Sequence, residues 1–500
     1  MKKFPPKEEE KIFKRAPKHE PSIYQKRIYK DLNSGIGHTV IEAFAGSAKT
    51  YSIVEGIKYI PKGKKVLMLA FNKSIRAELR GRVSDVHDVL TFHGCGLRAL
   101  KLRFGEVVID EFKTTNIIKK FVDEKENDLI DNLVKAVSQC KNALVDTPSK
   151  IEIIMDHFSI DTCELERKQF ISIVIKTLAE NKKMTNIIDF DDMCLFPHIF
   201  NLNTGNFDYV FIDERQDSNT SNIMLAIRSC KKQGGRIIAC GDKYQNIYAS
   251  FRGTDDNIIQ NLLKQENAKI LSLPISYRCP TKVLDLCRLW VKDIQAAPGA
   301  KEGSVEDISL NQLYDKAKPG SFVLSRTNAP LIKICMNFIK QGKKANIKGR
   351  DVGNQLNYLI KKSKQKEIPQ FLKWLENWKQ EQIQILMEKK IPTDNTLDRY
   401  ECLTSVAEEC KSLKEMKSKI DSLFNDVDDK NVIICSSVHK SKGLEAKNVF
   451  LLRWTFRMFL DENTKYVEYP NEELNIAYVA CSRAQENLYL VHKAFSQEVP

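Results

Sequence analysis

Thirteen cysteines are scattered along the 500 residues, yet no C-x-x-C pair occurs among them. That absence argues against a zinc site or a disulfide framework and for a reducing compartment. No apolar run approaches a membrane span, and the N-terminus has no signal-peptide core. The expectation is a soluble, intracellular protein of cytoplasm or nucleus, cellular or viral, with no membrane partner. Internal repeats and low-complexity tracts are also missing. Glycine is absent from 106 to 204 and again from 354 to 442. In these stretches apolar residues recur at helical spacing, as in IIKKFVDEKENDLIDNLVKAV and IPQFLKWLENWKQEQIQILMEKK, so each reads as a helical insertion.

What is present is ordinary in bulk. With 42% hydrophobic and 29% charged residues the chain is globular, and its length suits two to four domains. The formal net charge of +14 fits a polyanionic partner, nucleic acid ahead of membrane, although a solvated basic surface meets the same number. Residues 1–20 mix charge and proline and read as a flexible tail. Beyond them, short apolar runs alternate with helical stretches, the mark of parallel α/β sheets. The runs are VLMLAF (66–71), YVFID (209–213), RIIACGD (236–242), SFVLSR (321–326), NVIICSSV (431–438), NVFLLRW (448–454) and NLYLV (487–491). They fall into two sets, divided near residue 275.

The chemistry concentrates at HTVIEAFAGSAKT (38–50), an apolar strand running into a small-residue loop that ends in Lys49 and Thr50. Small residues let the backbone N–H groups of Ala45, Gly46, Ser47 and Ala48 converge on phosphate oxygens. The following helix adds its positive end, and the ammonium reaches the outer phosphates. The Thr50 hydroxyl is placed to ligate Mg²⁺. The general pattern G-x-x-x-x-G-K-[ST] has glycine where this chain has Ala43 and Ala48, and alanine resists a positive φ. Downstream, YVFIDERQD sets Asp213 and Glu214 at a strand end, facing the same crevice as the loop. Asp213 is suited to Mg²⁺ through its water shell, and Glu214 to orienting or deprotonating the attacking water. In isolation such a pair is usually surface charge; the strand before it and the loop upstream favour the site. CGDKYQNIYASFRG follows a further strand and offers Gln245 to the terminal phosphate, with Tyr248, Phe251 and Arg252 close by. ISYRCP supplies Tyr277 and Arg278, and ELNIAYVACSRA places Arg483 on a helix. Guanidinium groups stabilise the charge spread over a transferring phosphoryl, whereas any one arginine alone reads as a surface salt bridge.

Taken in order, these motifs resemble superfamily 1 DNA helicases of the UvrD/Rep/PcrA type, including the F-box helicase branch. The resemblance runs from PSIYQKRIY through AFAGSAKT, LAFNKS, TFHGCG, DFDDM, IDERQD, GDKYQNIY and SYRCP. VLSRTN, VHKSKGLE and AYVACSRA complete it, so that it spans roughly residues 21–492. It implies two RecA-like parallel-sheet cores of the P-loop NTPase class, each carrying a mainly helical insertion. The expected division is 21–94 with 189–270 for the first core and 95–188 for its insertion. The second core takes 271–345 with 431–500, and its shorter insertion 346–430. Since the chain stops soon after its last motif, no appended nuclease domain is expected.

By that resemblance Gln25 reads adenine, Tyr277 stacks on it and Glu445 lies on the ribose side. Lys49 and Thr50 hold phosphate and Mg²⁺, Asp213 and Glu214 take the metal and base roles, and Gln245, Arg278 and Arg483 contact the γ-phosphate. Phe71, Asn72, Thr91, His93, Tyr248, Phe251 and His439 fall where the family grips single-stranded DNA; Phe71 and Phe251 serve core packing equally well. Ala43 is normal for the family, but Ala48 stands where it almost always has glycine. Arg215 replaces a small residue, and Ala446 an aromatic. These departures bear on rate and coupling. The implied activity is ATP-dependent, Mg²⁺-requiring translocation on single-stranded DNA and unwinding of tailed duplex, 3′ to 5′. Ala48 keeps open a weakly hydrolysing ATP-dependent clamp or recruitment factor on single strands; an RNA-using P-loop ATPase is more remote. Trp374, Trp378 and Leu386 mark either a protein-partner surface on the second insertion or, more simply, a buried helical stripe.

Overall fold

In a computed structural model of the chain, residues 20–83, 87–124, 126–158, 160–163, 165–247, 267–388, 393–425, 431–456 and 471–493 are described. All but the last residue of the expected N-terminal tail lies outside the described residues, as do Tyr248, Phe251 and Arg252.

The first half contributes β1 (Thr39–Ala43), β2 (Val66–Ala70), β3 (Asp88–Thr91), β4 (Val108–Ile109), β5 (Ile187–Ile188), β6 (Tyr209–Ile212), β7 (Arg236–Gly241) and β8 (Lys269–Leu273). Six of these form a wholly parallel sheet in the order β3-β2-β6-β7-β1-β8, while β4 and β5 pair separately. Alternate side chains of the central strands serve two cores. Ile41, Met68, Phe211 and Ile238 pack with Ile28, Leu32 and Ile53 on one face; Val40, Leu67, Val210 and Ile237 pack with Phe92, Ile223 and Ala226 on the other. Burial on both faces is why these strands read as continuous apolar runs.

The second half adds β9 (Ile275–Ser276), β10 (Gln295–Ala296), β11 (Ser304–Ser309), β12 (Phe322–Ser325), β13 (Ala345–Lys348), β14 (Ile433–Ser437), β15 (Ala446–Leu452) and β16 (Ala484–His492). Its six-stranded sheet, again parallel throughout, runs β11-β16-β15-β12-β14-β13. The chain is thus an α/β protein with two parallel-sheet cores of the RecA-like kind. Among the described residues no helix is long and apolar enough to cross a membrane.

Both glycine-free stretches are helical. In the first, helices Lys113–Ile118, Asn127–Ala143, Pro148–His157 and Arg167–Lys183 enclose their own cluster around Leu133, Val137, Phe170 and Val174. The second, with helices Arg350–Lys362, Ile368–Glu388, Asp394–Ala407 and Leu413–Leu423, shares one continuous core with its sheet. Leu356, Phe371, Leu403 and Ile420 pack with Val323, Cys435 and Phe450. Trp374 and Trp378 stack on each other, 6.5 Å between centroids, and rest partly buried against this core, as a helical stripe does.

Candidate nucleotide site and strand-binding surface

The carboxyl ends of β1, β6 and β7 converge. β1 ends at Ala43, and the helix Lys49–Ile57 begins after the loop. Gly46 has φ +70°, and a Cβ there would come within 2.6 Å of both Arg278 Cβ and Ser276 Oγ. Only glycine admits the second core this close. Ala48 adopts φ 56°, ψ 43°, the left-handed conformation expected of a glycine. The loop keeps its shape at a conformational cost of about 1–2 kcal/mol. Ser47 is buried, and its Oγ hydrogen-bonds to none of the described residues.

Lys49 Nζ stands 2.9 Å from Glu214 Oε2, and Thr50 Oγ1 donates to Asp213 Oδ2 at 3.3 Å. Burial opposes the charge on Lys49, but Glu214, Asp242 and Asp213 overcome it and hold the ammonium protonated. Burial likewise works against the Glu214 carboxylate; Lys49 outweighs it and keeps the acid down at about 2. Asp213 goes the other way, raised to about 7 by burial and by the charge of Glu214. Glu214 also sits in left-handed backbone, φ 50°, ψ 49°, so two non-glycine residues of the site carry that strain. After β7, Asp242 accepts from Gln245 Nε2 at 2.8 Å, and Gln216 Nε2 donates to Glu214 Oε2 at 2.5 Å. Arg215, the departure from the usual small residue, is buried in an ion pair with Glu42 of β1.

The second core closes over this loop. Tyr277 N–H donates to Gly46 O at 2.8 Å, Arg278 pairs with Glu445, and Gln485 Nε2 donates to Glu445 Oε1 at 2.7 Å. Arg483 is fully enclosed, donating to Val479 O and Leu444 O at 3.0 and 3.1 Å. Burial and the neighbouring Arg278 bring its guanidinium down to about 10. Lys442 crosses the seam to Asp217 Oδ1 and Gln245 O, both at 2.7 Å. A cavity of about 450 Å³ opens beside Tyr277 and Arg278, lined also by Ser22, Pro280 and Gln485. Gln25 is buried with both ends of its amide engaged. Its Oε1 accepts from Ser22 N–H at 2.9 Å, and its Nε2 donates at 2.9 Å to Ser52 Oγ, which in turn donates to Ala48 O.

Of the strand-binding candidates, Phe71 and Asn72 follow β2, Thr91 ends β3 and His439 follows β14. Asn72 Oδ1 and Thr91 Oγ1 cap their helices, accepting from Ile75 N–H and Gly94 N–H. Burial, then Arg326, pushes the His439 imidazole down to about 4, so it is neutral near pH 7. His93 meets the ring of Phe190 edge-on at 6.1 Å, and Phe190 is 51% exposed. The TFHGCG and DFDDM segments lie this close because Gly96 has no side chain; a Cβ there would strike Met193 O at 1.7 Å.

Several residues of the site escaped sequence reasoning. Asp242 was hidden beside Gln245 in GDKYQ, though its place after a strand repeats that of Asp213. Phe190 lies inside the DFDDM motif, and Tyr478 inside AYVACSRA. Ser52 carries no local signal, since its partner Gln25 lies 27 residues away, and Gln216, inside IDERQD, joins its neighbour Glu214 to Asp242 26 residues on.

A nucleoside triphosphate with Mg²⁺ fits this donor set. The loop offers an unpartnered buried hydroxyl, a lysine and a glycine cradle, and Thr50 with Asp213 supplies the hard oxygen ligands Mg²⁺ prefers. Among the described residues no cluster of histidine, cysteine and carboxylate suits a softer metal.

Comparison with known proteins agrees. Residues 25–267 match the UvrD/REP helicase N-terminal domain. The chain is 23% identical over 300 residues to the ATP-dependent DNA helicase Rep of Buchnera aphidicola subsp. Baizongia pistaciae, covering 54% of this chain and 43% of that protein. It is 26% identical over 326 residues to a probable DNA helicase II homolog of Mycoplasma capricolum, covering 57% and 44%. To the ATP-dependent DNA helicase PcrA of Bacillus subtilis it is 23% identical over 283 residues, covering 50% and 36%. The matched part thus spans less than half the length of these three relatives. Through residues 25–267 the chain is thus similar to the UvrD/REP helicase N-terminal domain.

Proposed function

We propose that this protein is an ATP-dependent DNA helicase and single-strand translocase whose hydrolytic site lies at the seam between the two sheets. The observation that carries the proposal is the closure of Ser276, Tyr277 and Arg278 onto Gly46, next to the Lys49–Glu214 and Thr50–Asp213 pairs. Residues 21–94 with 189–273, and 274–348 with 431–500, act as the two motor cores, because β8 (Lys269–Leu273) belongs to the first sheet and β13 (Ala345–Lys348) to the second, a few residues past the divisions expected from the sequence; 95–188 and 349–430 are their insertions.

In this reading Lys49 exchanges Glu214 for phosphate oxygens when nucleotide binds. That frees the Glu214 carboxylate to orient water and take its proton. Thr50 and Asp213 would hold Mg²⁺, which would withdraw charge from the phosphate oxygens. Gln245, Arg278 and Arg483 face the terminal phosphate, and Tyr277 and Glu445 the base and ribose. Gln25 braces the loop through Ser52 beside the base. Because guanidinium groups come from one core and the lysine from the other, hydrolysis and release change how firmly the cores hold together, and this drives movement along DNA. Phe71, Asn72, Thr91, His93 and His439 line the strand, joined by the exposed ring of Phe190, suited to stacking a base. Tyr248 and Phe251 complete the set by motif position. The 3′-to-5′ polarity rests on the family resemblance.

Strand displacement on 3′- and 5′-tailed duplexes, with DNA-stimulated ATP hydrolysis measured alongside, tests the proposal. ATP-dependent unwinding of the 3′-tailed substrate is expected, lost in Lys49→Ala while DNA binding persists. Hydrolysis that survives Lys49→Ala would remove the site assignment. Nucleotide and DNA binding without any turnover would favour the single-strand clamp.

A further inference from the structure

One hydroxyl joins the two cores at the phosphate loop. Tyr478 lies on the second-core helix Asn471–Cys481 and is fully buried. Its oxygen accepts from the backbone N–H of Ala45 at 2.8 Å and donates to Asp242 Oδ2 at 3.2 Å. The same Asp242 oxygen receives Gln245 Nε2 at 2.8 Å, and Asp242 N–H donates to Gln216 Oε1 at 3.0 Å. Gln216 in turn donates to Glu214 at 2.5 Å. An unbroken relay therefore runs from the phosphate loop, through a residue of the other core, to the groups assigned to the terminal phosphate and the attacking water.

The surroundings hold this hydroxyl in place. Tyr244 meets the Tyr478 ring edge-on at 6.2 Å and the Phe44 ring at 6.1 Å. Phe44, Ala45 and Ile247 of the first core share an apolar cluster with Cys279, Val283, Val438 and Tyr478 of the second. Burial first, and then the charge of Asp242, raise the phenol well above its ordinary range, so it remains a donor at neutral pH.

We propose that Tyr478 is a positioning residue for ATP hydrolysis: its hydroxyl registers closure of the second core and transmits it to Gln245 and Glu214 through Asp242. The inference rests on the hydrolytic site proposed above. When the cores part, Ala45 N–H and Asp242 lose this partner together. Gln245 is then held by a carboxylate missing one of its donors, and the site is assembled for turnover only when the cores are closed. The hydroxyl occupies the Ala45 N–H, one of the four loop donors expected for phosphate, but leaves the other three free of it and touches no group assigned to the base or ribose, so its removal acts on turnover more than on nucleotide affinity.

The test is Tyr478→Phe, which keeps the ring and its apolar contacts. With saturating single-stranded DNA, kcat for ATP hydrolysis is expected to fall at least tenfold, while the dissociation constant for a fluorescent ATP analogue changes less than threefold. Val291→Ala, a truncation in the same apolar cluster, lowers thermal stability but leaves kcat unchanged, separating positioning from loss of packing. Asp242→Asn provides a second variant of the relay. It must also lower kcat, and the double variant must fall short of the product of the two single effects. A Tyr478→Phe enzyme with wild-type kcat, or losses that multiply fully, would overturn the relay while leaving the site intact. A wild-type protein without DNA-stimulated hydrolysis would overturn both.

Discussion

Ala48 shows how much a single backbone conformation decides. A phosphate loop needs a left-handed residue before its lysine, and the chain supplies an alanine that takes φ 56° regardless. The loop geometry is therefore retained, and the departure from glycine is met with strain rather than a different turn. Ala48→Gly removes that strain but adds freedom to the unfolded chain. The balance is a gain of about 0.5–1 kcal/mol, read as a higher melting temperature with no loss of nucleotide affinity. A variant less stable than the parent would show that the left-handed alanine costs nothing. Lys49, Thr50, Asp213 and Glu214 were all legible from residue type and place along a strand or loop. Tyr478 and Ser52 were not, because a hydroxyl's role depends on which backbone atom folding brings to it.

Within individual elements the strongest physical feature is the charge cluster under the first insertion. Asp189 and Asp192 form a capping box at the start of helix Phe190–Ile199. Their carboxylates meet Lys141 at 2.5 and 2.9 Å, and Lys113 reaches Asp192 at 2.7 Å; both lysine side chains are fully buried. Lys141 also donates to Thr114 Oγ1 and Asn181 Oδ1, so every arm of its ammonium is occupied. The DFDDM segment is thereby fastened to helices from three places in the insertion. Replacing Lys141 by methionine leaves buried carboxylates short of a cation and should cost about 3–5 kcal/mol, seen as an earlier unfolding transition in urea. A loss under about 1 kcal/mol would mean that water reaches the cluster. The strands divide just as clearly. The interior strands were visible as apolar runs, whereas β3, β8, β11 and β13 were not. These four are the edges of the two sheets, and an edge strand such as β8 alternates exposed and partly buried residues.

Across the molecule, charge and seam act together. The net charge of +14 has little to do with the fold and fits a polyanionic partner. If single-stranded DNA is that partner, its affinity falls linearly on a log–log plot against salt, with a slope of about −0.7 for each phosphate contacted. Lys49→Ala leaves that slope unchanged, because Lys49 faces Glu214 in the interior of the site. Fluorescence anisotropy with a labelled oligonucleotide measures both; an affinity indifferent to salt would assign the basic surface to another purpose. The two insertions also differ in how they join the motor. The first has a core of its own and is tied to the first core through the Lys141 and Lys113 ion pairs, whereas the second shares one continuous core with its sheet.

Periodicity and motif order were enough to indicate parallel α/β architecture, two helical interruptions and a candidate phosphate loop with its acids, because each is written in neighbouring residues. Folding alone could settle what lies across the seam. Gly46 is required by Ser276 and Arg278, Lys442 reaches Asp217 across the gap, and Tyr478 ties Ala45 to Asp242 over more than two hundred positions. Such contacts leave no periodic trace, since their spacing is set by how two sheets pack and not by the repeat of either.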